Sequence, residues 1–377
     1  MNIEFISSIS EIKAEQWNQL TGTDYPFLRH EFLMALEQSG VVSRKTGWQP
    51  EHLLVYAEAE LVAVCPLYFK YHSQGEFVFD QQWANAYQQH SLDYYPKALT
   101  AVPFTPCQAQ RILFKKGIDE AAVLGGLVTA LKQQLIALKL SSWHCLFSSP
   151  SQIEQLSSLG LMVREGVQFQ WFNQHYRDFQ DFTDAFTSRK RKNTYRERQQ
   201  VREQGIEFLT LAGQQVSETQ WQVFFQFYQM TYLKHGMPGY LNLDFFKQIA
   251  QSMPEQVLLI FALKANRYIG AALSFIGADT LYGRYWGCFE EYHFLHFEAC
   301  YYQGLDYCIA QGLKRFDSGA QGEHKIARGF APVTTYSAHW IQHPEFAKAI
   351  ADFIRREKAA VQQYKADATA MLPFKKI

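Results

Sequence analysis

The chain has 377 residues, 47% of them apolar and 16% aromatic, and its 36 Lys+Arg balance 36 Asp+Glu to a formal charge of zero. That length suits two domains better than one core. The neutral balance leaves no global-charge argument for a nucleic-acid binder or a polybasic membrane protein.

The 30 Phe and 21 Tyr imply large buried areas or aromatic-lined clefts. Residues 1–8 lack the basic start and apolar run of a signal peptide. No window approaches the ~20 apolar residues that a spanning helix needs. A cytoplasmic chain is therefore expected, with the inner-membrane surface as an alternative location. Cysteines 65, 107, 145, 288, 300 and 308 form no CxxC pair, which favours reduced thiols. Cys65, Cys145 and Cys308 sit in apolar company expected of inert core.

Taken in chain order, residues 3–6 alternate like a strand, and 10–20 and 29–38 read as helices. Residues 52–57 and 61–70 form a hairpin signal around an acidic turn, with Pro66 marking a bulge or edge. Residues 75–80 continue the strand pattern, 121–138 read as a long helix, and 143–147 as a buried strand. The second half repeats the order. A very basic helix over 181–202 is followed by a strand at 206–209. Helix 217–233 follows, with Ser217 and Gln220 placed as a capping box. A shorter helix at 245–252, a hairpin over 257–263 and 268–276, and a strand at 279–287 come next. A helix over 297–311 and a strand end at 315–317 complete the set. The shared order points to a duplicated α/β unit with mixed sheets, dividing near 175–185 into domains 1–180 and 181–377. The second opens on the basic helix.

The segment 317–330, Asp-Ser-Gly-Ala-Gln-Gly-Glu-His-Lys-Ile-Ala-Arg-Gly-Phe, interleaves charges with Ile326 and Phe330. That pattern predicts a loop pressed onto a core with its polar groups in a cleft. Together with 75–80, 83–87, 94–97, 103–106, 189–193, 282–287, 295–298 and 300–302, it carries a resemblance. The chain resembles the FemAB-like proteins of the GNAT superfamily, bacterial proteins labelled peptidoglycan biosynthesis or recognition proteins. The sequence departs from that pattern at 107–110, which replaces an expected Gly- and Pro-containing turn, and at Gln170, where a histidine is expected. The resemblance implies tandem GNAT-like domains of the Fem type and acyl or aminoacyl transfer to an amine acceptor, such as a cell-wall precursor. Acyl-CoA or aminoacyl-tRNA would be the co-substrate, with no tightly bound cofactor. A non-catalytic protein recognising a cell-wall or lipid precursor in the same cleft is the alternative. A third reading, nucleic-acid binding, rests on the basic helix alone.

The resemblance also implies a lysine near the transfer centre, which directs attention to Lys325. A fixed ammonium in a dry cleft stabilises the oxygen that turns negative during amine attack. Its bland counterpart is a lysine capping a turn. Glu323 and His324 are the candidate bases, unless Glu323 pairs with Arg328 for structure. Arg328 would steady negative charge, and Gln321 shares the loop. Asp317 ends a strand, where ligand groups gather, or caps its own turn. Alternation places Tyr282, Arg284 and Trp286 on one strand face, with Arg284 needing Glu298 or a substrate anion as partner. His293, His296 and Glu298 fit no zinc spacing, so no metal is expected. Arg189, Lys190, Arg191, Lys192 and Arg196 form an anion patch or merely a solvated helix face. Asp80, Trp83, Tyr95 and Lys97 are candidates to line a substrate cleft, or else aromatic core with polar tips. No Walker loop, GxGxxG or GxSxG elbow is present, nor a convincing glycine-rich pyrophosphate turn.

Overall fold

A computed structural model describes residues 1–234, 236–320 and 322–375. The chain forms two units, one from Met1–Val167 with Thr334–Gln363 and one from Gln168–Val333 with Tyr364–Ile377. These units differ from the segments 1–180 and 181–377 at residues 168–180 and 334–363. Strands Met162–Phe172 and Ala331–Ile341 and helix Pro344–Ala370 each contribute to both units. The chain therefore passes from one unit to the other inside regular structure, with no linker for composition to mark.

The first unit carries two groups of strands. Asn2–Ile6, His52–Ala57, Glu60–Cys65 and Leu113–Phe114 pair antiparallel in that order. Trp48–Pro50, Tyr68–Lys70, Lys97–Thr100 and Ser142–Leu146 form the second group, and Ser337–Ile341 pairs antiparallel with the last of these. Pro66 lies between Cys65 and Tyr68, where one strand group gives way to the other. Lacking an N–H, a proline breaks a ladder at the point where the chain must leave it. Helices Glu120–Ala137 and Pro150–Ser158 cover this sheet, burying Leu127, Leu131 and Leu156 against Trp143, Val55 and Cys65. Residues 75–80 are not a strand. Phe77 has a left-handed φ of 61°, and the Glu76 and Asp80 carboxylates turn inward to Lys97. The β preference of Phe-Val-Phe yields there to the pairing of buried charges.

In the second unit, Ile206–Ala212, Val257–Lys264, Arg267–Ile276 and Thr280–Cys288 pair antiparallel in sequence order. Arg315–Asp317 then adds parallel to Thr280–Tyr282 and antiparallel to Gln170–Phe172. The hairpin turn uses Ala265 and Asn266, both at positive φ, the geometry that matches strand twist. Ser217 and Gln220 form the predicted reciprocal cap, with bonds of 2.8 and 3.3 Å. The basic helix begins only at Ser188, after a separate short helix Phe179–Asp184. The predicted helix over 297–311 is interrupted. Leu295–Phe297 makes one turn, Glu298–Tyr302 a π-helical turn, and Gln303–Ala310 an α-helix. Trp171, Phe316, Phe330, Leu281 and Leu305 form the core beneath the loop. Gly287 is required by close packing. A Cβ there would lie 1.9 Å from the Phe227 carbonyl oxygen of helix Glu218–Lys234.

Candidate functional site

The loop after Arg315–Asp317 is built around its own polar groups. Asp317 is buried, and its carboxylate accepts from the Gly319 N–H at 3.0 Å and from Gln170 Nε2 at 3.2 Å. Burial raises its pKa. Gly319 sits at φ +83°, a conformation that a side chain would strain. Lys325 is 2% exposed, and its Nζ donates to the carbonyls of Ser318 and Gly319 at 3.0 and 2.9 Å. The ammonium thus pins the start of the loop to the short helix Glu323–Arg328.

Arg328 is likewise held from within. It donates to Glu197 Oε2 at 2.7 Å and to the His324 carbonyl at 2.6 Å, and its guanidinium lies 3.4 Å from the Phe297 ring centroid. Tyr302 donates to the same Glu197 oxygen at 2.6 Å. His324 Nε2 pairs with the Tyr301 hydroxyl at 2.8 Å. Burial, helped by Arg328 and Lys325, lowers the His324 pKa to about 4. Glu323 is exposed and accepts from Tyr364 at 3.0 Å. Gln321 lies outside the described residues.

An opening lies beside this loop. Strand Thr280–Cys288 pairs with its hairpin partner through Cys288, but with Arg315–Asp317 only through Tyr282. From Gly283 onward, among the described residues, no strand continues on that side. A bulge adds to the irregularity, because Leu273 faces Tyr285 while Ser274 faces Gly283, leaving Arg284 as the extra residue. Tyr282, Arg284 and Trp286 therefore do not follow the simple alternation expected of them.

A cavity of about 110 Å³ sits on this edge, lined by Ser274, Arg284, Trp286, His296, Tyr301 and Ser318 among others. A second, of about 340 Å³, is lined by Lys234, Trp286, Glu291, Tyr292, His296 and Phe297 among others. Trp286 and His296 border both. Tyr282 is buried.

Glu298 is not the partner expected for Arg284. It is buried in the π-helical turn and receives Arg198, whose Nη2 lies 2.9 Å from Glu298 and 2.6 Å from Asp306. Burial raises the Glu298 pKa even against that cation. Arg189, Lys192 and Arg196 are exposed on the basic helix, while Lys190 and Arg191 are half-buried. Arg191 pairs with Asp184 at 2.7 Å. Among the described residues, no group of three or more His, Cys, Asp or Glu side chains is placed to hold a metal. Among the described residues, no helix is long and apolar enough to cross a membrane.

In the first unit, Asp80, Trp83 and Lys97 are buried. Lys97 bonds to Glu76 at 2.8 Å, to Ser73 at 2.9 Å and to Asp80. Tyr94 donates to Asp80 at 2.6 Å, and half-buried Tyr95 pairs with Ser73 at 2.7 Å. The cluster continues through His144, whose Nδ1 meets His339 Nδ1 at 2.7 Å. Asp80, Tyr95 and Lys97 thus bond within one polar cluster, and Trp83 packs beside it on the His339 ring at 5.0 Å.

A family model described as FemAB-like, peptidoglycan biosynthesis/recognition, matches residues 8–376. The chain belongs to the FemAB-like family. No curated protein matches the chain by sequence. Among solved structures, this FemAB-like chain is similar to FemX, with 12% identity, 93% of this chain and 100% of that one covered, and a TM-score of 0.54. It is also similar to the C-terminal domain of a lysylphosphatidylglycerol synthetase from Agrobacterium fabrum. There the identity is 10%, with 92% and 96% covered and a TM-score of 0.55. The L-PGS of Bacillus licheniformis follows at 10% identity, 88% and 96% coverage and 0.52. At these identities the likeness is one of fold, a mixed α/β architecture shared with FemX and L-PGS.

Several residues of this candidate site lie outside the sequence-based candidates. Ser274, Cys300 and Tyr301 line the smaller cavity, and Glu197 and Arg198 anchor the loop and the π-helical turn. Tyr301 shares the helical spacing of Phe297, Leu305 and Cys308, a pattern that by itself reads as core. Only the pairing of distant segments reveals the other roles.

Proposed function

We propose that this FemAB-like protein transfers an acyl or aminoacyl group from a carrier to a primary amine, with the chemistry on the opened strand edge of the second unit. The observation that carries this reading is the cavity lying where Thr280–Cys288 outruns its parallel partner. An exposed strand edge offers main-chain N–H and C=O groups to an extended carrier arm. The Arg284 side chain lines the same space and suits the negative oxygen that forms during amine attack. Lys325 and Arg328 act as braces of the loop, because the Lys325 ammonium donates to two loop carbonyls and Arg328 Nη1 and Nη2 donate to the His324 carbonyl and the Glu197 carboxylate.

The carrier is acyl-CoA or aminoacyl-tRNA, and the acceptor a cell-wall precursor. Both carriers are phosphate-rich, and Arg189, Lys192 and Arg196 are the exposed cations suited to them. A cytoplasmic site of action accords with such carriers. Recognition without transfer is the second reading, favoured by the internal pairing of His324 and Glu323.

Incubating the protein with acetyl-CoA or alanyl-tRNA and a lysine-containing muramoyl pentapeptide, with product detection by mass spectrometry, separates the two readings. A new amide on the acceptor supports transfer. Saturable pentapeptide binding without product from either donor would favour recognition.

A further inference from the structure

The two cavities of the second unit meet at one imidazole. His296 stands on the single helical turn Leu295–Phe297, entered through Phe294 at φ 62° and fixed by Leu295, which is 1% exposed. Its ring lies 5.9 Å from Trp286, 5.4 Å from Tyr301 and 5.8 Å from His324, centroid to centroid. These are packing contacts. No hydrogen bond joins a His296 ring nitrogen to any described residue.

The candidate bases of the loop and of the π-helical turn are engaged. Tyr301 holds His324, Arg198 holds Glu298, Gly319 and Gln170 hold Asp317, and Tyr364 holds Glu323.

Building on the acyl-transfer reading above, we propose that His296 is the catalytic proton acceptor, with the acyl carbonyl in the smaller cavity and the amine arriving through the larger one. The division follows size and lining. The smaller cavity, about 110 Å³, has room for a short acyl group beside Arg284, Ser274 and Ser318. The larger, about 340 Å³, falls in the range of small-molecule sites and has aromatic walls.

In the step, the amine nitrogen forms a bond to the acyl carbon, and the bond from that carbon to the carrier's sulfur or oxygen breaks. The amine proton passes to His296 and from its imidazolium to the departing carrier atom. Burial, with His324, Arg328 and Lys325 nearby, holds the His296 pKa down at about 4. The ring is therefore neutral at pH 7 and has a lone pair to accept with.

The test combines two readouts on the full chain. With acetyl-CoA or alanyl-tRNA and the muramoyl pentapeptide, H296Q should lose about 100-fold or more in kcat while the donor KM stays within about threefold. Added imidazole should restore at least about tenfold of the rate in H296A, an effect no structural loss would give. H296Q turning over within about threefold of wild type, while wild type is active, overturns the role of His296 but leaves the transfer reading intact. A wild type that transfers nothing overturns the transfer reading and the role together.

Carbethoxylation by diethyl pyrocarbonate at pH 7, mapped by mass spectrometry, judges the imidazole independently of any donor. His296 should react at least about tenfold faster than the buried, paired His144, since the neutral unbonded ring is the reactive form. An unreactive His296 refutes the proposal whatever the turnover.

Discussion

Replacing Lys325 with methionine separates a brace from a catalytic group. The side chain is 2% exposed and its Nζ satisfies two carbonyls, those of Ser318 and Gly319, at 3.0 and 2.9 Å. Methionine keeps most of the volume but leaves both oxygens without that donor. An unsatisfied buried acceptor costs about 1–3 kcal/mol, and removing the buried ammonium returns part of that. A net loss of about 2–4 kcal/mol for opening the loop follows. Since about 1.4 kcal/mol is a factor of ten, amide hydrogen exchange over 318–330 should accelerate roughly 30- to 1000-fold. Peptides from the first unit should be unaffected and serve as the internal control. Acceleration below about threefold would refute the bracing role and return Lys325 to the list of groups available for chemistry.

Three further outcomes follow from the same geometry. Arg198→Met strands the buried Glu298 carboxylate and should cost about 3–5 kcal/mol in denaturant titrations. Adding Glu298→Gln should recover a large part of that, because the loss lies mainly in the orphaned charge. The His296 pKa, lowered from 6.5 to about 4, makes the unfolded chain bind more protons than the native state between those values. Its contribution is level above pH 6.5 and declines to roughly −3 kcal/mol as pH falls to 4. Against His296→Gln, the wild type should thus lose stability more steeply over that window. Gly287→Ala must displace the backbone of helix Glu218–Lys234 at Phe227. It should lower the second unit's melting temperature by several degrees, about 1–3 kcal/mol of overpacking.

Local pattern was enough to place most elements. The 52–57 and 257–276 hairpins, the long helix ending near Ala137 and the Ser217 cap were legible because turn chemistry and apolar period act within a few residues. What escaped depended on distance in sequence. The Phe-Val-Phe run at 77–79 reads as strand until Lys97 draws Glu76 and Asp80 inward across about twenty positions. Sequence offers Arg284 either Glu298 or a substrate anion as partner, and Glu298 drops out once Arg198, on another helix, is seen to hold it. The density of charge in 317–330 correctly marks a loop pressed onto Phe316 and Phe330, yet density alone does not distinguish a group that braces from one that reacts. His296 shows the converse. In sequence it is weighed as a metal candidate that fits no zinc spacing, and its place between two cavities emerges only from the fold.

A single oxygen, Glu197 Oε2, accepts from both Tyr302 and Arg328. It ties the basic helix to the π-helical turn and to the loop at once. Releasing any one of the three breaks a bond on which the other two depend, so they should open together as a single cooperative block with one opening free energy. A phosphate seated on the outer face of that helix would then change the exchange rates of the Glu323–Arg328 amides without touching them.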